Sequence, residues 1–258
     1  MQNKESKTSQ SINTELPATS QGQQKKAESY LDLFAPWTDG YKHRNLNPYL
    51  NWLRSNPRLK PDAVYRFHNF WHPVSRHQPQ ILLQIMSAYP DWSDRHLIYL
   101  NWVEEDGMVK EDDNPHYDLH ENLIVSLGGK LDVDPEADEI VTKFHKSIQG
   151  MTPAEATGYV AAIEHPALDI SDYFITMTKQ YGDPKLLTTD PYLYIHVDVE
   201  PRHLIWSHGN ALDWMEDEEK MERLNYRKQD VIDAFTHAMS FWNKFWALAF
   251  AKLGYLQS

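Results

Sequence analysis

The chain has 258 residues, of which 41% are hydrophobic and 12% aromatic, so it can bury a substantial core. Its formal net charge is -12 and it has no run of Lys or Arg, which argues against nucleic acid and anionic membranes as main partners. The absence of cysteine excludes disulfides, thiolate metal sites and a cysteine nucleophile. Any metal must be bound by histidine and carboxylate side chains.

The N-terminal segment differs in composition from the rest of the chain. Residues 1–28 are rich in Gln, Ser, Thr and Lys, and such a segment gains too little from burial to offset the entropy lost on ordering. We therefore expect a disordered polar tail at 1–28 and one folded domain at 29–258. The tail lacks an apolar signal region, and no apolar run is long enough to span a membrane, so we expect a cytoplasmic protein.

The folded part is predicted to be a succession of helices. One begins at Pro61 and continues past Pro73 and Pro79, which should kink it. The next is expected to be capped by Ser93 and to end near Gly107.

Clear start signals recur in the second half of the chain. Helices are predicted after Asn114-Pro115, Asp134-Pro135 and Asp190-Pro191, and after Thr152, which forms a capping box with Glu155. The final helix carries apolar residues at three- and four-residue spacing between Phe235 and Leu253. Because no strand alternation or internal repeat is found, the predicted fold is all-α, a compact single-domain bundle.

The most specific local pattern is His196, Glu200 and His203. At 100° per residue these positions fall within about 60° of each other on a helix. Two imidazoles and a carboxylate on one face are the ligand set of non-haem iron oxygenases. The triplet alone is also compatible with an ordinary helix face in a chain that is rich in histidine and acidic residues.

Further candidate ligands lie upstream of this triplet. Glu105 ends the helix before Gly107, with Glu104 as the alternative, and His116 opens the next helix, with His120 one turn later. Glu164 follows small and apolar residues, where an ionised carboxylate is costly unless it is paired or bound to metal.

In order and context these segments resemble the haem-oxygenase-like dimetal oxidases, relatives of the thiaminase-like and pyrroloquinoline-quinone-synthase-like proteins. The matching elements are Asn101 to Gly107, His116 to Gly128, the single Glu164, and His196-x3-Glu200-x2-His203, within about residues 60 to 210. The resemblance implies a haem-oxygenase-like bundle of about seven core helices. It implies six metal ligands, which are Glu105, His116, Glu164, His196, Glu200 and His203. The three carboxylates among them, Glu105, Glu164 and Glu200, would take part directly in catalysis.

The chain departs from the family pattern at two positions. Residue 200 is Glu where Asp is common, and Pro201 removes a backbone donor beside the site and should bend the ligand helix. His68 and His72 form an i, i+4 pair without a nearby carboxylate in sequence, so we interpret them as core or pocket residues.

The resemblance implies two iron ions, with manganese an option in one site, and O₂ as co-substrate. The expected activity is non-haem dimetal oxidation or oxygenation of a small organic substrate, by N-oxygenation, oxidative C–C cleavage or desaturation. An external electron donor and a homodimer stay open, and no nucleic acid or membrane partner is expected. The alternatives are a cofactorless enzyme of the same fold and a non-catalytic binding or regulatory module.

Overall fold

The computed structural model describes residues 18–38, 41, 47–55, 61–108, 114–181 and 183–254. These residues form helices and contain no strand. In chain order the helices are α1 (Ala18–Phe34), α2 (Pro48–Ser55), α3 (Pro61–Ala88), α4 (Trp92–Glu105), α5 (His116–Ser126), α6 (Pro135–Ser147), α7 (Pro153–Glu164), α8 (Ala167–Tyr181), α9 (Leu186–Thr189), α10 (Pro191–Asp198), α11 (Glu200–Glu216), α12 (Glu218–Leu224) and α13 (Lys228–Ala249). A 3₁₀ turn follows α1 and a π turn follows α13. None of the described helices combines the length and the apolar composition needed to cross a bilayer.

Helix α1 begins within the segment that the composition predicts to be a polar tail. Its residues Ala27, Leu31 and Phe34 follow the i, i+4, i+7 spacing of one helix face, and all three are buried. Ala27 and Leu31 pack with Leu168 and Leu204 of α8 and α11. A few apolar residues that share one face thus attach this helix to the core, although the segment is otherwise polar. The part of the predicted tail at 1–17 lies outside the described residues.

The predicted start signals are mostly confirmed. Asp134 caps α6 by accepting hydrogen bonds from the backbone of Glu136 and Ala137, and Thr152 and Glu155 form the capping box of α7. The predicted cap at Ser93 is wrong, because the N-cap position is two residues earlier, at Asp91, whose side chain makes no capping hydrogen bond, and α4 starts at Trp92.

Helix α3 continues through both internal prolines, as predicted. Pro73 has no N–H to donate to the carbonyl of Asn69, one turn earlier. That carbonyl instead accepts a hydrogen bond from the N–H of Asp134 at 3.2 Å. The proline thus frees an acceptor that fixes the start of α6 against α3.

Helix α7 lies at the centre of the bundle. All of its residues from Ala156 to Glu164 are buried, mostly as small or apolar side chains. Gly158 allows the backbones of α7 and α13 to approach closely, since a Cβ there would lie 2.2 Å from the carbonyl oxygen of Val231 and 2.9 Å from the backbone nitrogen of Phe235. This contact holds α7, and the glutamate at its C-terminal end, in the core.

The contact yields a stability prediction. Gly158→Ala should lower the free energy of unfolding by about 1–3 kcal/mol or more, because backbone atoms of α13 must move apart from α7. The control is Gly22→Ala in α1, an exposed helical glycine with no atom within 4 Å of the added Cβ. It should be neutral or stabilising by up to about 1 kcal/mol. Denaturant midpoints measure both, and equal midpoints for the two variants would contradict the contact.

Candidate metal centre

The first two candidate residues lie where the backbone just after α4 passes close to the backbone just before α5. Glu105 is the last residue of α4, and Gly107 follows with a φ of 68°. A Cβ on Gly107 would lie 2.3 Å from the carbonyl carbon of Asn114, so only glycine lets that segment pass so closely. Helix α5 then begins with His116 directly beside Glu105.

Glu105 and His116 form a buried pair. His116 Nδ1 lies 2.8 Å from Glu105 Oε2, and the two residues are 3% and 5% exposed, respectively. The contact is not aligned as a hydrogen bond, so Nδ1 of His116 has no hydrogen-bond partner among the described residues. Burial raises the pKa of Glu105, but the attraction of His116 outweighs it and the pKa is lowered overall.

Glu164 enters the same space from the C-terminal end of α7. It is 3% exposed, and its Oε1 accepts a hydrogen bond from Asn101 Nδ2 at 2.9 Å. Asn101 lies one turn before Glu105 on α4, so one helix face supplies both a carboxylate and the amide that orients another. Burial raises the pKa of Glu164, because the ionised form loses its hydration.

The segment with the His-x3-Glu-x2-His pattern is broken into two helices. Helix α10 ends at Asp198, Val199 forms the junction, and Pro201 lies in the first turn of α11. The helix is thus interrupted beside Pro201, which has no N–H to donate to the carbonyl one turn earlier, and the bend predicted there stays a prediction. His196 and His203 consequently lie on different helices, with Glu200 at the start of the second.

His196 and Glu200 are buried and adjacent. His196 Nδ1 donates to the carbonyl oxygen of Tyr192 at 2.8 Å, so its Nε2 faces inward, 3.8 Å from Glu200 Oε1. Burial, reinforced by repulsion from His116, lowers the pKa of His196 to about 4. Burial and the nearby Glu164 raise the pKa of Glu200 well above its ordinary value.

His203 has the opposite orientation. Its Nε2 lies 2.8 Å from Glu104 Oε2, and its Nδ1 faces inward, 3.9 Å from Glu164 Oε2 and 4.0 Å from Glu200 Oε2. Burial lowers the pKa of His203, but the hydrogen bond to Glu104 and the surrounding carboxylates raise it to about 9 overall. The same hydrogen bond lowers the pKa of Glu104.

Contacts of 2.8 to 4.0 Å pair Glu105 with His116 and separately link His196, Glu200, His203 and Glu164, so five helices supply the six candidate residues in two adjoining groups. The tightest convergence is that of Glu105, Glu200 and His203, whose ligand atoms lie within 4.8 Å of one another. The sequence spacing instead grouped His196 with Glu200 and His203 around one ion. That spacing argument assumes one continuous helix, whereas His196 lies on α10 and Glu200 and His203 lie on α11.

The donor set fits a metal centre on two grounds. Nδ1 of His116 and Nδ1 of His203 are buried without a hydrogen bond within the described chain, whereas buried polar atoms are normally paired with protein, water or an ion. Carboxylate and imidazole together suit first-row metals such as iron and manganese.

The two alternative ligands occupy different environments. Glu104 is bonded to the outer nitrogen of His203, and its side chain is 40% exposed. Both ring nitrogens of His120 have protein partners, with Nε2 2.9 Å from His68 Nδ1 and Nδ1 3.2 Å from Ser75 Oγ. Neither residue presents an unpaired atom to the cluster in the way that His116 and His203 do.

The early histidines form part of a separate buried network. His68 contacts His120, and His72 Nε2 pairs with Glu121 Oε1 at 3.0 Å. Ser75 also shares a 2.8 Å hydrogen bond with the Tyr192 hydroxyl. Within the described residues, none of these histidines belongs to a group of three potential ligands. The network lies beside the candidate centre and packs α3, α5 and α10 together.

A small cavity of about 40 Å³ adjoins the cluster. Four candidate ligands line it, and the remaining wall is largely apolar; the lining residues include Glu105, Glu164, His196, Glu200, Trp71, Val74, Ile163, Ile170 and Trp242. Because a water needs about 10–15 Å³ by this measure, the space suits a few water-sized molecules. Among the aromatic side chains of α3, Trp71 lines this cavity and Phe70 is buried in the core.

Three residues around the centre received no role from the sequence. Asn101 orients Glu164, Tyr192 supplies the carbonyl that orients His196, and Ser75 lines the cavity. The i, i+4 spacing of Asn101 and Glu105 is a signal for the first. A backbone acceptor and a buried serine have no comparable signal in a single sequence.

Comparison with known proteins supports the fold. No protein-family model and no curated protein sequence matches the chain. A CADD-like protein of unknown function from Nostoc punctiforme, solved at 2.00 Å, is similar in structure, with a TM-score of 0.62 and 14% identity over 89% of this chain and 99% of that one. A second crystal structure of that CADD-like protein, at 1.35 Å, gives a TM-score of 0.58 and 14% identity over 90% and 97%. The predicted fold class, a single-domain all-α helical bundle, is confirmed by the described helices and by this structural similarity.

The orientation of His203 leads to a pH prediction for the metal-free protein. Its pKa of about 9 lies above the unfolded value of about 6.5, so it contributes stability that is present below pH 6.5 and lost as pH rises through 9. Between pH 7 and 10, this contribution should fall by about 2–3 kcal/mol. In chelator, His203→Gln should therefore destabilise the protein more at pH 7 than at pH 10, measured by denaturant unfolding.

The matched control is His196→Gln. The pKa of His196 is about 4, so this side chain is neutral in both folded and unfolded chains above pH 7. Its replacement should cost the same at pH 7 and pH 10. A pH-independent effect of His203→Gln would show that the Glu104 contact does not hold a charged imidazole.

Proposed function

We propose that this protein is a non-haem dimetal oxidase that binds two divalent first-row metal ions, iron by preference, and uses O₂ to oxidise a small organic substrate. The observation that carries this proposal is the convergence of three carboxylates and three imidazoles, all less than 9% exposed, with two imidazole nitrogens left without hydrogen bonds. The fold shared with the CADD-like protein is compatible with such a centre, but that protein is of unknown function and the shared fold does not define an activity for this chain.

Charge supports a pair of ions over a purely structural polar cluster. Glu105, Glu164 and Glu200 repel one another at short range and are removed from water, which costs several kcal/mol for each ionised group without compensation. The imidazoles do not neutralise them fully, since the pKa of His196 is about 4. Two divalent cations would supply the missing positive charge and occupy the unpaired nitrogens.

The residues that would hold the two ions are Glu105, His116, Glu164, His196, Glu200 and His203, and Glu164 would be the ligand shared between them. Glu164 is suited to this role because Asn101 holds one of its oxygens while the other faces His203. When bound, reduced iron would supply the electrons that activate O₂ and the oxidising power for N-oxygenation, oxidative C–C cleavage or desaturation. The apolar wall formed by residues such as Trp71 and Trp242 would exclude bulk water from the reacting atoms.

Metal stoichiometry tests the proposal. Anaerobic titration of chelator-treated protein with ferrous iron, followed by elemental analysis, should saturate near two equivalents per chain. The loaded protein should consume O₂ in a stopped-flow measurement. Saturation at one equivalent or none would contradict the dimetal centre. Metal-free protein that is still an enzyme would support the cofactorless alternative, and metal-free protein that is inert to O₂ would support a binding module.

Matched variants test the ligand assignment. His116→Ala should lose about one equivalent of iron, because its Nδ1 is directed at Glu105 with no other partner. His120→Ala is the control and should retain both equivalents, because its nitrogens bond to His68 and Ser75. Loss of iron in His120→Ala but not in His116→Ala would show that the ligand is His120, one turn later in α5. Full loading and normal O₂ consumption in Glu164→Ala would show that the site is misplaced.

A further inference from the structure

Two consecutive glutamates at the end of α4 have different surroundings. The Glu105 side chain is 6% exposed and contacts His116, whereas the Glu104 side chain is 40% exposed and contacts the outer nitrogen of His203. His203 thus lies between a carboxylate at its Nε2, 2.8 Å away, and the carboxylates of Glu164 and Glu200 near its Nδ1. The sequence offered Glu104 only as a substitute for Glu105.

A metal ligand must present a lone pair, and a neutral imidazole has one nitrogen that donates and one that accepts. A carboxylate that accepts the Nε2–H bond therefore leaves the lone pair on Nδ1, the inward nitrogen. Such a partner also fixes the plane of the ring and increases the basicity of the ligand. His196 is oriented by the Tyr192 carbonyl in the opposite sense, with Nε2 inward.

We propose that Glu104 is a positioning residue that holds His203 with Nδ1 directed at the metal centre and thereby sets the affinity of the ion that His203 binds. This inference rests on the proposed function, because it assumes that His203 is a ligand. It assigns Glu104 a contact with a ligand and no direct bond to metal.

Glu104 holds this position from a surface recess of about 150 Å³ between α4 and α11, which it lines with Leu97, Leu100, Arg202 and Trp206. A shortened side chain at 104 would therefore open onto solvent, and water could replace the carboxylate without leaving a cavity in the core. Substitution there should leave the fold intact while releasing the orientation of His203.

The chain offers a closely matched control in Glu121. Its side chain is also 40% exposed, and its Oε1 lies 3.0 Å from Nε2 of His72, which is 2% exposed. The pair has the same chemistry as Glu104 and His203, but His72 is not among the proposed ligands. Any effect of Glu121→Ala therefore reports the general loss of a glutamate–histidine contact.

The experiment measures binding of cobalt(II), as a spectroscopic substitute for ferrous iron, to chelator-treated full-length protein by competition with a chelator of known affinity. Glu104→Ala should bind one of the two equivalents about 10–100-fold more weakly than the wild type. The visible cobalt bands of that equivalent should shift. Glu104→Gln should retain most of the affinity, because its amide oxygen can still accept the Nε2–H bond. Glu121→Ala should bind both equivalents as the wild type does.

Several results would overturn the inference. Wild-type affinity in Glu104→Ala would show that the contact does not position His203. Equal loss of affinity in Glu104→Gln and Glu104→Ala would indicate that Glu104 acts by charge or by direct ligation, and equal loss in Glu121→Ala would indicate a nonspecific effect. Failure of the wild-type protein to bind two equivalents would instead count against the proposed function, so the two failures are distinguishable. Circular dichroism verifies that each variant is folded.

Discussion

The central physical constraint on this molecule is the burial of three carboxylates beside three imidazoles in a helical core. Each ionised carboxylate loses its hydration, and each unpaired imidazole nitrogen forgoes a hydrogen bond, so the metal-free cluster opposes folding. The raised pKa values of Glu164 and Glu200 express this cost, because both side chains resist ionisation where they lie. A cluster of this kind persists at low cost only when something positively charged occupies it.

Two glycines and a proline shape the backbone so that these side chains come together. Gly107 allows the close backbone approach that places His116 beside Glu105, and Gly158 allows α7 to approach α13 so that Glu164 ends inside the core. The last ligand segment is interrupted beside Pro201, and the Tyr192 carbonyl and Glu104 orient His196 and His203 so that different ring nitrogens face the same space. Glycine and proline therefore occur at positions where the path of the backbone places the candidate ligands.

The sequence predicted the helical architecture and much of the site because helix signals and ligand spacing are local. Thr152 and Glu155 predict the start of α7, and the apolar run that follows predicts that Glu164 is buried. Contacts between residues that lie far apart in the chain could not be predicted from such local patterns. The depth of α1 depends on partners in α8 and α11, and the role of Glu104 depends on His203, which lies 99 positions later in the chain. The spacing argument for His196, Glu200 and His203 assumes one helix from 196 to 203, whereas α10 ends at Asp198 and α11 begins at Glu200.

Anomalous diffraction at the iron edge, from crystals grown anaerobically with ferrous iron, tests the account most directly. We expect two peaks per chain, one on each side of Glu164, with His203 bound through Nδ1 and His196 through Nε2. That result would verify the ions, the bridging carboxylate and the orientation of both rings in one map. Absence of iron density among these residues, or density only at the protein surface, would contradict the account.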